Sequence, residues 1–189
     1  MKTLVIYAHP NTDGHNPVVL SQVEKQLKKR GDRYEVLDLY KMKYDPVLHE
    51  KEHYTAGNRA VSGENRKIQK KILDAEHLIF VYPLWWGSMP AILKGLVDRV
   101  FVSGFAFRYD GGRPIGLLKP RRATIFITSG GVKWFYKLFK APRKAMVWGI
   151  FRFCGLKTRY VQIYNCMKLD AAKKKEIKKI VGKEFDRLE

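Results

Sequence analysis

Three short stretches carry the residue types and spacings that chemistry needs. The first, His9-Pro10-Asn11-Thr12-Asp13-Gly14-His15-Asn16, lies between an apolar run and a helical pattern. The start of a helix presents free backbone N–H groups and the positive end of a dipole, which favour a phosphate. Thr12, Gly14, His15 and Asn16 add donors and a permissive backbone to His9. The stretch has neither a GxGxxG nor a Walker spacing, so a nucleoside triphosphate is not indicated. The second, Pro83-Leu84-Trp85-Trp86-Gly87-Ser88, sets two flat indoles in a loop with little charge. Exposed indoles are costly unless something flat covers them. The third, Ser129-Gly130-Gly131, offers glycines that let backbone N–H groups come close to a ligand edge. Each has a plainer alternative: His9 as a core histidine bonded to backbone, the tryptophans as ordinary packing under a loop. A fourth candidate, His49-Glu50-Lys51-Glu52-His53, has a metal-like i, i+4 histidine spacing. It sits in a charged stretch with no third ligand in view, so a solvated helical turn is the reading and no metal is assigned.

The elements that must position these stretches follow from periodicity. Buried strands are expected at Lys2–Ala8, Tyr34–Leu39, His77–Tyr82, Ala123–Thr128 and Arg159–Tyr164. Helices are expected between them. The first has Asn16 as N-cap, Pro17 at its first position and Gly31 at its end. Another runs from about Glu64 to Ala75 behind Ser62, with Ile68, Ile72 and Leu73 inward. A third starts with Pro90 at its first position. An aromatic and basic amphipathic segment spans Val132 to Phe153, and a last helix follows Asp170. Alternating strands and helices define an α/β protein with a parallel sheet. Five strands over 189 residues suggest one flavodoxin-like doubly wound domain, 1–189, of sheet order 2-1-3-4-5 with helices on both faces.

In that order the loops after strands one, three and four converge beyond the carboxyl edge, at the switch point where such sheets bind ligands. The three stretches become one site. A ring with a phosphate tail, held by aromatic and glycine-bearing loops, describes flavin mononucleotide. Free NAD fits less well, because no acidic residue follows strand two as a ribose clamp.

Bulk properties set the surroundings. The chain is 46% hydrophobic and 13% aromatic, which is globular composition. No apolar run approaches the roughly 20 residues of a membrane span. The first apolar run breaks too early for a signal peptide, so the protein reads as cytoplasmic. Cys154 and Cys166 give no disulfide framework and read as buried thiols. The net charge is +19, and every charged residue from Gly111 to Leu169 is Lys or Arg. Such a field attracts anions, or it is a solvated basic face.

The chain resembles the flavodoxin-like NAD(P)H:quinone oxidoreductases, the family of the quinone reductases, modulator of drug activity B and the ancillary flavoproteins of potassium-efflux systems. Four stretches carry the resemblance: Ala8-His9-Pro10 with Asn16; Pro83-Leu84-Trp85-Trp86 through Pro90-Ala91-Ile92-Leu93-Lys94-Gly95; Asp98-Arg99-Val100-Phe101 through Gly104-Phe105-Ala106-Phe107; and Thr128-Ser129-Gly130-Gly131. Phe153-Cys154-Gly155 is a weaker echo. The resemblance implies that His9, Gly14, His15 and Asn16 hold the flavin phosphate and ribityl chain. It implies that Leu84, Trp85, Trp86 and Gly87 border the ring, Trp86 through its side chain and Trp85 through backbone. Ser129, Gly130 and Gly131 would offer donors to the pyrimidine side. Tyr136 lies where quinone reductases carry a catalytic tyrosine beside the flavin. Those enzymes place a histidine six residues later; here that residue is Pro142. FMN is the implied cofactor, with FAD as the alternative, NADPH or NADH the electron donor, and a homodimer the implied assembly.

Three functions remain open on the sequence. The first is a flavin-dependent oxidoreductase passing hydride from NAD(P)H to a quinone or similar two-electron acceptor. The second is a regulatory flavoprotein that docks a membrane transporter or acidic partner through the basic face, with peripheral membrane contact. The third is nucleic-acid binding through the aromatic and basic segment, against which no nucleic-acid motif appears.

Overall fold

The computed structural model describes residues 1–53, 60–118, 121–138 and 141–188, apart from the side chains of Lys137, Ala141 and Pro142. Its centre is a parallel five-stranded sheet. In chain order the seven strands are β1 (Lys2–Tyr7), β2 (Arg33–Asp38), β3 (His77–Pro83), β4 (Phe107–Asp110), β5 (Arg113–Gly116), β6 (Arg122–Thr128) and β7 (Lys157–Ile163). The large sheet has the order β2-β1-β3-β6-β7. This is the expected 2-1-3-4-5 arrangement once the separate β4–β5 hairpin is set aside.

Sequence and position in the sheet agree. Strand β3 is buried at every residue, and β1 and β6 at all but their first. Unbroken apolar runs are what strands covered on both faces require. Strands β2 and β7 alternate in exposure over part of their length, as outer strands do.

Two apolar layers cover the sheet. On one side α1 (His15–Lys29) and α6 (Ala171–Asp186) bring Val19, Val23, Leu27, Ile177, Val181 and Phe185 against Val5, Ile79, Val81 and Phe126. On the other, α2 (Gly63–Asp74), α3 (Ala91–Val100) and a π-helical turn at Val147–Arg152 bring Ile68, Ile72, Leu93, Leu96 and Phe151 against Leu4, Ile6, Leu78 and Phe80. Leu73, expected to face inward, is exposed, because the stripe on α2 is narrower than its apolar content suggests. The described residues of the aromatic and basic segment form α4 (Lys133–Leu138), α5 (Ala141–Met146) and the π-helical turn. Only part of it enters the core: Met146, Val147 and Phe151 are buried, whereas Trp134, Leu138 and Trp148 stay exposed.

The β4–β5 hairpin has no counterpart among the expected elements. Gly111 and Gly112 form its two-residue turn with φ of 53° and 78°. Two successive positive φ values match the primed turn that suits a right-twisted hairpin, and glycine adopts them without steric cost.

The segment after β2 is fastened to α3. The Arg99 guanidinium, buried, bonds Glu52 at 2.8 and 3.0 Å and pairs with Asp45 at 3.3 Å. Gly95 abuts Pro46 so closely that a Cβ there would lie 2.2 Å from the Pro46 carbonyl oxygen. His49 is taken up by Asp45 at 2.6 Å, which helps hold that carboxyl below its ordinary range. The residues Glu50–Glu52 form a single 3-10 turn, not the α-helix that an i, i+4 metal pair needs. Among the described residues no group of three or more His, Cys, Asp or Glu is placed to hold a metal. No helix among them is long and apolar enough to cross a membrane.

Candidate active site at the carboxyl edge of the sheet

The loops after β1, β3 and β6 meet beyond the carboxyl edge and enclose a cleft of about 280 Å³. His9, Gly14, His15 and Asn16 line it from the first loop, Leu84 and Trp85 from the second, Ser129 and Gly130 from the third. The convergence inferred from strand order is therefore the observed geometry.

The first loop becomes a helix two residues earlier than expected, so Pro17 is its third residue and not its first. Asn16 is not the N-cap; Gly14 is, at φ 123°, and α1 begins at His15. The turn needs a backbone conformation that other residues rarely adopt, which frees Asn16 for a different task. Asn16 is buried, and its Nδ2 donates to Thr128 Oγ1 at 2.8 Å, tying the first turn of α1 to the end of β6. Its Oδ1 is buried and has no partner among the described residues. An unsatisfied buried acceptor costs about 1–3 kcal/mol unless something donates to it. No side chain caps the start of α1, and no acid lies in its first turn. The helix start thus keeps its N–H groups and its positive dipole end for an anion.

Both histidines are fastened to backbone and still border the cleft. His15 Nε2 donates to the Lys168 carbonyl at 3.2 Å. His9 Nδ1 lies 3.1 Å from Asn11 O and 3.3 Å from Asn11 N. The backbone-bonded alternative for His9 and a place in the cleft are thus both true.

The third loop is held from below. Ser129 N donates to Ile163 O at 2.9 Å, and Ser129 O accepts from Cys166 N at 2.9 Å. Its hydroxyl accepts from Gln162 Nε2 at 3.0 Å. The Ser129 side chain is thereby committed within the chain. Among the described residues, the N–H groups of Gly130 and Gly131 have no acceptor. A Cβ on Gly130 would meet the Met167 sulfur at 2.9 Å, and one on Gly131 the Tyr136 ring at the same distance. Tyr136 therefore lies against Gly131. Its ring is 5.9 Å from that of Tyr164. Neither Tyr136 nor Gly131 lines the cleft itself. The side chain of Pro142 lies outside the described residues.

The second loop separates its two tryptophans. Trp85 N and Ser88 N exchange hydrogen bonds with each other's carbonyls at 3.0 and 2.8 Å. Trp86 and Gly87 occupy the tip of this turn with φ of 49° and 72°. The Trp85 side chain reaches the cleft, its ring 6.5 Å from that of His9. Trp86 is 104% exposed and does not line the cleft of its own chain, and neither does Gly87. A non-glycine residue in the left-handed region costs of order 1 kcal/mol, and such strain gathers at functional loops.

Asn11, Asp13, Pro83 and Thr128 also line the cleft, and the sequence marked them only as parts of its stretches; Cys166, which lines it too, was read only as a thiol. The signal for Thr128 was present: it closes the β6 strand directly before the glycines. Cys166 carries no such signal, because its place depends on the return from β7. Its thiol donates to Ile163 O at 3.4 Å, and burial pushes its pKa up. Cys154 is fully buried and pushed up to about 12, as an inert core thiol should be. A second cleft of about 540 Å³ shares Gly14 with the first and is bordered by Lys174, Lys175 and Lys178 of α6.

The sheet order and the cleft at its switch point define a flavodoxin-like α/β protein. The chain belongs to the family described as having a flavodoxin-like fold, whose profile matches residues 1–184. It is 33% identical over 180 residues to an uncharacterized NAD(P)H oxidoreductase of Haemophilus influenzae, covering 92% of this chain and 89% of the other. It is 31% identical to the human ribosyldihydronicotinamide dehydrogenase [quinone], over 86% of this chain and 80% of that one. Among solved structures, Smu.1420 from Streptococcus mutans UA159 superposes with a TM-score of 0.90 at 31% identity, covering 99% of this chain and 100% of that chain.

Proposed function

We propose that this protein is a flavin-dependent oxidoreductase that carries reducing equivalents from NADPH or NADH to a quinone or similar two-electron acceptor. The observation that carries the proposal is the buried Asn16 Oδ1, without a partner among the described residues, in a cleft whose other walls include an uncapped helix start and Gly130, with Gly131 next in the chain. This donor and acceptor set fits a flavin. The N–H groups of His15 and Asn16 suit its phosphate. Asn16 Oδ1 can accept from a ribityl hydroxyl. Leu84 and Trp85 supply an apolar wall that excludes water, and the N–H groups of Gly130 and Gly131 suit the carbonyl edge of the ring. His9 completes the phosphate end.

A flavin held by these residues would supply the two-electron chemistry between nicotinamide and acceptor. The chain's own residues bind, orient and tune. Tyr136, against Gly131, would hold a proton at its phenolic oxygen for the acceptor. FMN is the simpler cofactor for a cleft of this size. The adjoining lysine-bordered cleft leaves FAD as the alternative.

The same reading includes a cytoplasmic homodimer. Trp86, Trp134, Leu138 and Trp148 are all exposed, and a monomer seldom leaves so many large apolar side chains in water. A second copy would cover such a surface and give Trp86 a ring to pack against.

Steady-state turnover tests the proposal. After reconstitution with FMN or FAD, the protein should consume NAD(P)H in proportion to added quinone. An absence of flavin-dependent NAD(P)H consumption with every acceptor offered would refute it.

A further inference from the structure

We propose that the free edge of β7 docks an extended, acidic peptide segment of another protein.

Strand β7 is an outer strand of the sheet. Lys157 N donates to Arg121 O, and Ile163 O accepts from Ser129 N. The two-residue period then turns the odd-numbered residues toward β6 and presents the backbone N–H and C=O groups of Thr158, Tyr160 and Gln162 outward. These three residues border a cleft of about 460 Å³. Ile180 and Val161 add apolar surface to it.

Charge then selects the occupant. Arg143 of α5 and Lys183 and Arg187 of α6 stand around the cleft beside Arg159 of the strand. The one carboxylate among the lining residues is Glu184, which is buried and already engaged by Arg159 at 3.0 Å and Arg187 at 3.8 Å. The Arg143 guanidinium lies 5.7 Å over the Tyr160 ring. Among the described residues neither Arg143 nor Lys183 forms an ion pair with a carboxylate. The strand also lies within the stretch from Gly111 to Leu169 that contains no acid.

A peptide that adds a strand satisfies the outward backbone groups, and acidic side chains satisfy the cations. A second copy of this chain paired edge to edge would oppose the same cations to one another. A nucleic acid would answer the charges but leave the row of edge amides and carbonyls without strand partners. The plainer role of cations on an outer strand is to keep other sheets away. That role predicts no peptide binding.

The probe is a fluorescein-labelled peptide of alternating glutamate and threonine, long enough to span β7, titrated with the full chain and followed by anisotropy. Saturable binding that weakens with salt is expected. A peptide of the same charge with proline at alternate positions should bind at least tenfold more weakly, because it cannot pair with an edge. The double variant Arg143→Glu, Lys183→Glu should lose at least tenfold in affinity while keeping its circular dichroism and melting temperature. No saturable binding at low salt would overturn the proposal. So would equal binding of the proline peptide, which would reduce the effect to charge alone. Tighter binding of a single-stranded oligonucleotide of equal charge would reassign the surface to nucleic acid. The two peptides decide the matter even if the double variant fails to fold.

Discussion

Single residues decide how the cleft is made, and two of them give direct tests. Gly130 borders the cleft, and among the described residues the only atom crowding a new Cβ is the sulfur of Met167, the end of a flexible and exposed side chain. Gly130→Val should therefore fold, yet push a branched side chain toward the ring edge. Flavin affinity should fall roughly tenfold or more, about 1.4 kcal/mol, in a fluorescence titration, with little change in melting temperature. His77 offers a pH test far from the cleft. It is fully buried at the start of β3; its Nε2 bonds Thr124 Oγ1 at 2.9 Å, and its Nδ1 has no partner among the described residues. Burial, then the charges of Arg30 and Arg122, lower its pKa from 6.5 to about 4. The unfolded chain therefore binds the extra proton between those values. Stability contributed by neutral His77 is complete above pH 6.5 and is lost as pH falls toward 4, by on the order of 3 kcal/mol. Chemical denaturation across that window should show this slope, and His77→Gln should flatten it. The residue types of the cleft were legible in the sequence because glycine, histidine and tryptophan in loops are conspicuous. The task of Asn16 was not. Its side chain reads as a cap until a residue 112 positions away is brought beside it.

At the scale of elements, chain punctuation was read correctly where a local hydrogen bond fixes it. Ser62 accepts from Asn65 N at 3.2 Å and Asp170 from Lys173 N at 2.8 Å, so both caps stand where the sequence placed them. The start of α1 moved because a glycine in the left-handed half of φ space leaves no side-chain cap to read. The hairpin at β4–β5 was missed because an aromatic run with a Gly-Gly turn does not announce its pairing partner. Asp170→Ala should remove one cap bond from α6 and cost about 1 kcal/mol. In a chain of this size that is a fall of roughly 2–4 °C in melting temperature, read by calorimetry. The effect should stay modest, since Ile177, Val181 and Phe185 anchor the helix independently.

For the whole molecule, the sheet order was legible before any coordinates, because alternation of strand and helix leaves few right-handed ways to wind five parallel strands. That order alone brought three separate loops together. What the sequence withheld was which apolar side chains would remain outside. Trp86 at the tip of a strained turn and Trp148, stacked 4.2 Å under Arg152, depend on packing that no periodicity reports. If a second copy covers Trp86, light scattering should give the mass of two chains. Trp86→Glu should then shift the protein toward a single chain and weaken flavin binding with it. The most direct test of the three-loop cleft is the visible absorption spectrum of the purified protein under anaerobic titration with NADPH. The account predicts a yellow protein whose band bleaches with NADPH and returns on adding a quinone. A colourless protein that also refuses added FMN and FAD would contradict it.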